Sequence, residues 1–80
     1  MSIIMYTKTG CPWCNDARGM LNERGVNFEE REVLSNDSFM EELVSKSAQN
    51  KTPTFDIDGE IFADSSAEEI GPVLSEKGII

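Results

Sequence analysis

Two cysteines separated by two residues are the chemically distinctive feature of this 80-residue sequence. Cys11 and Cys14 lie in the segment TKTGCPWCNDARGML and are the only cysteines in the chain. Such a pair can be a structural disulfide, half of a metal site or a working redox pair. A structural disulfide is disfavoured, because a bond across two residues closes a very small loop and constrains the unfolded chain little.

A zinc site within one chain is also disfavoured. Structural zinc needs four ligands, whereas the sequence has two cysteines and no histidine, so a metal would require a dimer or an external thiol. The start of the chain, MSIIMY, lacks the features of a signal peptide, and no stretch is long enough to span a membrane. We therefore expect a cytoplasmic protein, where cysteine pairs tend to be catalytic or metal-binding. The net charge of −8 disfavours nucleic acids and anionic membranes as partners.

The hydrophobic pattern predicts seven elements in the order β-α-β-α-β-β-α. The predicted elements are a strand over 2–7, a helix from Cys11 that ends at Gly25, an edge strand over 26–33, a helix from Ser38 to about Ala48, strands over 54–57 and 60–62, and a helix over 66–77. The first two strands should be parallel, and Asp58-Gly59 predicts a tight antiparallel hairpin. We expect one α/β domain over 1–80, with a mixed four-stranded sheet and three helices.

Several helix details can be predicted as well. Ser38 and Glu41 have the spacing of a capping box, and either Ser65 with Glu68 or Ser66 with Glu69 can cap the last helix. Phe39, Leu43 and Val44 should form the buried face of the second helix. Proline at 72 should kink the last helix or split off its first turn. The charged runs EEREV (29–33) and AEEI (67–70) are interpreted as solvated faces.

The predicted position of the cysteine pair favours redox chemistry. Cys11 occupies the first turn of a helix, where free N–H groups and the helix dipole stabilise a thiolate. Cys14 lies one turn further and more deeply buried, so it can attack a mixed disulfide formed on Cys11. Lys8 adds a nearby positive charge. Pro12 rigidifies the turn, and Trp13 offers an apolar wall beside the exposed sulfur.

Two segments resemble a known family. By itself, Thr52-Pro53 is most simply an ordinary proline at the start of a strand. The segments YTKTGCPWC (6–14) and TPTFDIDGEIF (52–62), however, are similar to the glutaredoxins, small dithiol proteins of the thioredoxin fold. The resemblance implies a thioredoxin-like fold and a cis Thr52-Pro53 bond beside the cysteines. It also implies that the backbone of Thr52 is free to pair with an extended substrate.

The same resemblance implies a role for each cysteine and a glutathione groove. Cys11 would be the attacking, glutathionylated residue and Cys14 the resolving one, with glutathione as co-substrate and no bound cofactor. The implied groove residues are Lys8 with Gln49 or Lys51 for the glycyl carboxylate, Trp13 for the cysteinyl part, and the backbone N–H groups of Ser65 and Ser66 for the glutamyl carboxylate.

The sequence departs from the family pattern in three places. Lys51-Thr52-Pro53 stands where the family often has Thr-Val-Pro, and Ala63-Asp64 replaces a common glycine pair that lets backbone approach the ligand. Asp64 can cap the last helix, reach the glutamyl amine or repel a carboxylate, and capping is favoured. Asp56, in the middle of a strand, is expected on a partly exposed face near the hairpin, with the alternative that it accepts a proton from the resolving thiol.

Three functions remain open at this point. The leading one is a monomeric thiol–disulfide oxidoreductase that reduces protein disulfides and protein–glutathione mixed disulfides and is re-reduced by glutathione. The first alternative is a glutaredoxin-like electron donor to ribonucleotide reductase, itself reduced by thioredoxin reductase. The second alternative is not an enzyme but a dimeric carrier of an iron–sulfur cluster, which uses Cys11 of each subunit together with glutathione.

Overall fold

The fold matches the predicted order of elements. The computed structural model describes residues 2–80. Its elements are β1 (Ile3–Thr7), α1 (Pro12–Glu23), β2 (Glu29–Glu32), α2 (Asp37–Ser47), β3 (Thr54–Ile57), β4 (Glu60–Phe62) and α3 (Ala67–Glu76). None of the helices in the described part of the chain is long and apolar enough to cross a membrane.

One mixed sheet organises these elements, with its strands in the order β2-β1-β3-β4. β1 pairs in parallel with the edge strand β2 and antiparallel with β3, and β3 pairs antiparallel with β4. Asp58 and Gly59 connect β3 to β4 with φ values of 51° and 90°. Two consecutive positive φ angles are typical of the type I′ hairpin turn, so the predicted hairpin is confirmed.

Hydrophobic residues cover both faces of the sheet. Met5 and Phe55 belong to the larger cluster, which packs against α1 and α3, whereas Tyr6 packs with Leu43 of α2 in a smaller cluster. The alternation follows from the two-residue period of a strand, which points successive side chains of β1 to opposite faces. The thioredoxin-like α/β fold is therefore confirmed, with helices on both sides of the sheet.

Helix α1 begins and ends as its sequence predicts. Cys11 is the N-cap residue in an extended conformation, and Pro12 occupies the first helical turn, where its missing N–H costs nothing. Gly25 follows the helix with φ of 69°. Its N–H donates to the Asn22 carbonyl at 3.1 Å, and the next residue donates to Leu21 at 2.9 Å, a paired arrangement that satisfies the last carbonyls of the helix.

Two of the helix predictions were wrong, and one of the two alternatives predicted for Pro72 is excluded. Asn36, not Ser38, caps α2, because the Asn36 side chain accepts the Ser38 N–H at 2.9 Å. Val44 is 45% exposed, although the neighbouring Leu43 is fully buried. Helix α3 runs without a break through Pro72, so its first turn is not split off. The Ser66–Glu69 capping box, one of the two predicted pairs, is present.

Candidate active site

The two sulfur atoms lie where β1 leads into α1. Cys11 and Cys14 form a disulfide, and their Cα atoms are 5.2 Å apart. Cys11 is partly exposed, whereas Cys14 is fully buried. The backbone N–H of Cys14 donates to the Sγ of Cys11 at 3.2 Å. The same contact in the reduced protein would stabilise negative charge on Cys11, because free N–H groups at a helix N-terminus favour a thiolate.

The loop before β3 brings Thr52 and Pro53 against this sulfur. The Thr52-Pro53 peptide bond is cis, as the resemblance implied. The Sγ of Cys11 lies 3.8 Å from the Thr52 carbonyl oxygen and 3.6 Å from the Thr52 hydroxyl. Within residues 2–80 the backbone N–H of Thr52 has no hydrogen-bond acceptor. A free backbone donor beside the reactive sulfur is suited to pairing with an extended chain.

An open cleft of about 630 Å³ adjoins Cys11. Nine of its lining residues follow from the sequence analysis: Lys8, Cys11, Pro12, Trp13, Lys51, Thr52, Pro53, Asp64 and, at the start of α3, Ser66. Trp13 is 63% exposed, so it presents an apolar surface to the cleft. The fold thus gathers residues from three separate loops around one sulfur atom.

Two lysines give part of this cleft a positive charge. Most basic residues of the chain are neutralised by carboxylates, namely Arg18, Arg31, Lys46 and Lys77. Lys8 and Lys51, by contrast, form no ion pair within the described residues, and both line the cleft. In a chain of net charge −8, two unpaired cations beside the reactive sulfur make this part of the cleft locally positive.

The other predicted anion subsite is already engaged. The N–H groups of Ser65 and Ser66 were predicted to bind a carboxylate of the ligand. Instead, the Ser65 N–H donates to the Pro53 carbonyl at 2.8 Å, and the Ser66 N–H donates to the Glu69 carboxylate at 3.2 Å. Asp64 does not cap α3, as was favoured, because Ser66 is the N-cap residue; the N–H of Asp64 donates to the Thr54 hydroxyl at 3.2 Å. The structure therefore contradicts this use of the two serine N–H groups as free donors.

Gln49 supports the loop and does not line the cleft. Its amide nitrogen donates to Ser47 at 2.7 Å and to the Thr54 hydroxyl at 3.2 Å, and its amide oxygen accepts the N–H of Lys51. The buried Thr54 hydroxyl also donates to the Lys51 carbonyl at 2.8 Å. Gln49 and Thr54 thus position Lys51 and the cis-proline loop, so of the two predicted alternatives Lys51 is the residue in the cleft.

Two glutamates of β2 hold the loop that carries Lys8. Glu29 and Glu30 are exposed, as the interpretation of 29–33 as a solvated face implied, whereas Arg31 and Glu32 are half-buried and Val33 is buried. Glu30 accepts from Arg18 Nε at 2.7 Å and from the buried Thr7 hydroxyl at 2.8 Å, and Glu32 accepts the Thr9 N–H at 2.7 Å. The Arg18 guanidinium lowers the pKa of Glu30 below its usual range; partial burial opposes this and the Thr7 hydroxyl adds to it. Glu30 therefore ties the end of β1 to α1 as a carboxylate.

Asp56 lies on the sheet face that α2 covers. Its carboxylate accepts from Lys46 Nζ at 2.6 Å and from the Gly59 N–H of the hairpin at 2.8 Å. Burial alone would raise the pKa of Asp56, but Lys46 and the Gly59 N–H together lower it. Asp56 is therefore an ion-paired carboxylate near the hairpin, as expected, and its pairing with Lys46 disfavours the alternative role as a proton acceptor for the resolving thiol.

The family of the protein follows from its sequence and its fold together. The glutaredoxin family model matches residues 3–62, which include the cysteine pair, the cis-proline loop and all four strands. The chain belongs to the glutaredoxin family. With its Cys11–Cys14 pair, this glutaredoxin-family protein is a thiol–disulfide oxidoreductase.

Individual relatives support this assignment. Glutaredoxin 3 of Escherichia coli strain K12 is 32% identical over 59 residues, which cover 74% of this chain and 71% of that protein. A glutaredoxin-like 8.6 kDa protein in the rubredoxin operon of Clostridium pasteurianum is 28% identical over 74 residues, 92% of this chain and 99% of that one. Among solved structures, the thioredoxin-like protein BC3987 superposes with a TM-score of 0.83 at 30% identity, covering 91% of this chain and all of that chain.

Four cleft residues of this glutaredoxin-family protein were missed by the sequence analysis, namely Thr9, Gly10, Leu34 and Glu69. Thr9 and Gly10 lie in the quoted cysteine segment but were given no role. Leu34 follows β2 and is 60% exposed at the rim of the cleft, and Glu69 lines the cleft from α3. A single apolar residue next to the polar run SNDS was a signal for Leu34. Glu69 was recognised only as a capping residue on a solvated face, because a capping pattern does not show what else the carboxylate faces.

Proposed function

We propose that this protein reduces protein disulfides and protein–glutathione mixed disulfides in the cytoplasm and that glutathione returns it to the dithiol state. The observation that carries the proposal is the environment of Cys11. Its partly exposed sulfur accepts the Cys14 N–H at 3.2 Å and adjoins the cis-proline loop at the mouth of a cleft. This arrangement favours a nucleophilic thiolate that a second polypeptide can reach.

The reaction uses the two cysteines in sequence. The Cys11 thiolate attacks one sulfur of the partner disulfide, so a mixed disulfide forms and the other partner sulfur leaves as a thiolate. Cys14, as a thiolate, then attacks the Cys11 sulfur, which releases the second partner thiol and leaves the Cys11–Cys14 disulfide. Two glutathione thiolates reverse the oxidation: the first forms a mixed disulfide on Cys11 and frees Cys14, and the second releases oxidised glutathione.

The lysines of the cleft support glutathione as the reductant. Lys8 and Lys51 come from the loops on either side of Cys11 in the fold, and neither forms an ion pair within residues 2–80. A carboxylate of the ligand would be attracted to such a pair of ammonium groups. The exposed face of Trp13 offers apolar contact to the part of the ligand that carries the sulfur.

A second candidate has an observation in its favour. The N–H groups of Ser65 and Ser66 donate to Pro53 and Glu69, which leaves the predicted subsite for the glutamyl carboxylate without these donors. This favours a protein that receives electrons from thioredoxin reductase and passes them to ribonucleotide reductase. Both candidates use the same cysteine chemistry and differ in the partner that restores the dithiol.

One experiment separates the two candidates. The oxidised protein is offered glutathione with glutathione reductase, or thioredoxin reductase alone, and NADPH consumption is followed in each case. We expect turnover with glutathione. Rapid turnover with thioredoxin reductase only would replace glutathione by the second candidate, while leaving the disulfide chemistry in place.

Two cysteine variants test the chemistry itself. Cys11→Ser should abolish reduction of both kinds of disulfide, because a serine hydroxyl is not ionised at neutral pH and cannot replace the thiolate. Cys14→Ser should keep the removal of glutathione from a glutathionylated peptide, which needs one thiol, but lose the reduction of a protein disulfide such as insulin. Full activity of Cys11→Ser would overturn the assignment of the nucleophile.

A further inference from the structure

A carboxylate of the protein itself occupies the start of α3 at the cleft. The Glu69 carboxylate accepts the Ser66 N–H at 3.2 Å and lies 3.1 Å from the Ser66 hydroxyl. Both residues line the cleft that contains Cys11. Asp64, which lines the same cleft, adds a second negative charge. The cleft therefore has two unpaired lysines on its loops before α1 and β3, and two acidic side chains around the start of α3.

The position of Glu69 has a consequence for ligands. A helix N-terminus attracts anions, and here the anion is part of the chain. A carboxylate of an incoming ligand would have to displace the Glu69 carboxylate from Ser66 or lie beside it. Two carboxylates side by side repel each other. A neutral or cationic group meets no such penalty. The cleft thus discriminates by the charge that a partner brings to α3.

We propose that Glu69 is a specificity-determining residue that disfavours partners with a carboxylate at the start of α3. Disulfides in polypeptides with a neutral or basic side chain at this point would then react in preference to glutathione disulfides, whose glutamyl part carries a carboxylate. This inference rests on the proposed function, since it concerns the partner of the same Cys11 sulfur.

The test measures mixed-disulfide formation on Cys11 in a Cys14→Ser background. The protein is equilibrated with reduced and oxidised glutathione or, separately, with reduced and oxidised cysteinylglycine, and the fraction modified is read by intact mass. The cysteinylglycine is N-acetylated, so it keeps the glycyl carboxylate and the thiol, lacks the glutamyl part and carries no ammonium group that Glu69 could attract. The ratio of the two equilibrium constants therefore cancels changes in the reactivity of Cys11 and isolates the glutamyl group.

Two substitutions are compared in this background. Glu69→Gln removes the charge while its amide oxygen can still accept the Ser66 N–H, so the helix cap is kept. Glu68→Gln is the matched control, because it removes a neighbouring charge from the same helical turn and Glu68 does not line the cleft. Thermal unfolding of each variant shows that the fold is retained.

We expect Glu69→Gln to raise the glutathione to cysteinylglycine ratio by about fivefold, as removal of a like charge a few ångströms away in a solvent-open cleft should. Glu68→Gln should leave the ratio unchanged. An unchanged ratio in Glu69→Gln, or an equal rise in Glu68→Gln, would overturn the proposal and leave Glu69 as a helix cap. If Cys11 formed a mixed disulfide with neither thiol in any variant, the proposed function would fail as well.

Discussion

The hydroxyl of Thr52 lies 3.6 Å from the Sγ of Cys11, although 41 positions separate the two residues in sequence. The contact depends on the cis-proline loop, which Gln49 and Thr54 hold in place behind Lys51. Thr52 stands where the family often has valine. This chain therefore supplies Cys11 with a side-chain donor that valine cannot provide, in addition to the Cys14 N–H.

Thr52→Val should make Cys11 less reactive. The substitution keeps the shape of the side chain but removes the donor that would stabilise the thiolate, and the loss of one hydrogen bond is worth about 1 kcal/mol. The rate of alkylation of the reduced protein by iodoacetamide at neutral pH should fall about fivefold. Thr52→Ser retains the hydroxyl and serves as the control. Equal rates in Thr52→Val and wild type would show that the contact does not influence the thiolate.

Leu34→Ser should weaken the reaction with polypeptide disulfides. Leu34 is 60% exposed and lines the cleft, so it contributes apolar contact area to a partner without supporting the core. We expect KM for a protein disulfide to rise about threefold or more, with little change in melting temperature. Val44→Ser is the control, because Val44 is also exposed but lies outside the cleft. Similar KM effects of the two substitutions would argue against Leu34 as part of the docking surface.

Asp56→Asn should leave catalysis unchanged and lower stability. Asp56 is ion-paired to Lys46 and accepts the Gly59 N–H, so its role is to join α2 and the hairpin. We expect the free energy of unfolding in urea to fall by about 1 kcal/mol. The pH profile of disulfide reduction should be the same as in wild type. A shifted profile would restore the alternative in which Asp56 accepts a proton from Cys14.

The ion pair between Arg18 and Glu30 should make stability depend on acidity. Because the folded state lowers the pKa of Glu30 below its ordinary value of 4.5, the pair stabilises the protein above pH 4.5, and this contribution is lost as pH falls through the lowered pKa. Arg18→Gln should therefore reduce the free energy of unfolding at neutral pH, by about 0.5 kcal/mol after solvent screening. The difference from wild type should shrink on acidification.

Arg24→Gln provides the control for this pH dependence. Arg24 lies at the end of the same helix and forms no ion pair within residues 2–80. Urea unfolding of the three proteins across the acidic range gives the comparison. A constant gap between Arg18→Gln and wild type at every pH would mean that Glu30 does not carry the effect.

The sequence determined the elements and the reactive pair. The period of the hydrophobic residues predicts the strands and helices, Gly25 predicts the end of α1, and Asp58-Gly59 predicts the hairpin. Each of these features depends only on residues that are close together in the chain. The position of Cys11 at a strand–helix junction followed from the same pattern. The cysteine pair indicated redox chemistry, and the segments 6–14 and 52–62 indicated the glutaredoxin family. The match of the family model to residues 3–62 confirms the family.

Only the tertiary structure decided which groups meet the sulfur and which charges remain free. Lys8 and Lys51 are unpaired whereas Arg18 and Lys46 are not, and this depends on carboxylates far away in sequence. Glu69, interpreted as part of a solvated face, lines the cleft because α3 starts beside the cis-proline loop. Hydrogen bonds and ion pairs between residues far apart in the sequence leave no periodic pattern in it. The local pattern therefore predicts the strands and helices, whereas the packing of these elements determines the partners of each side chain.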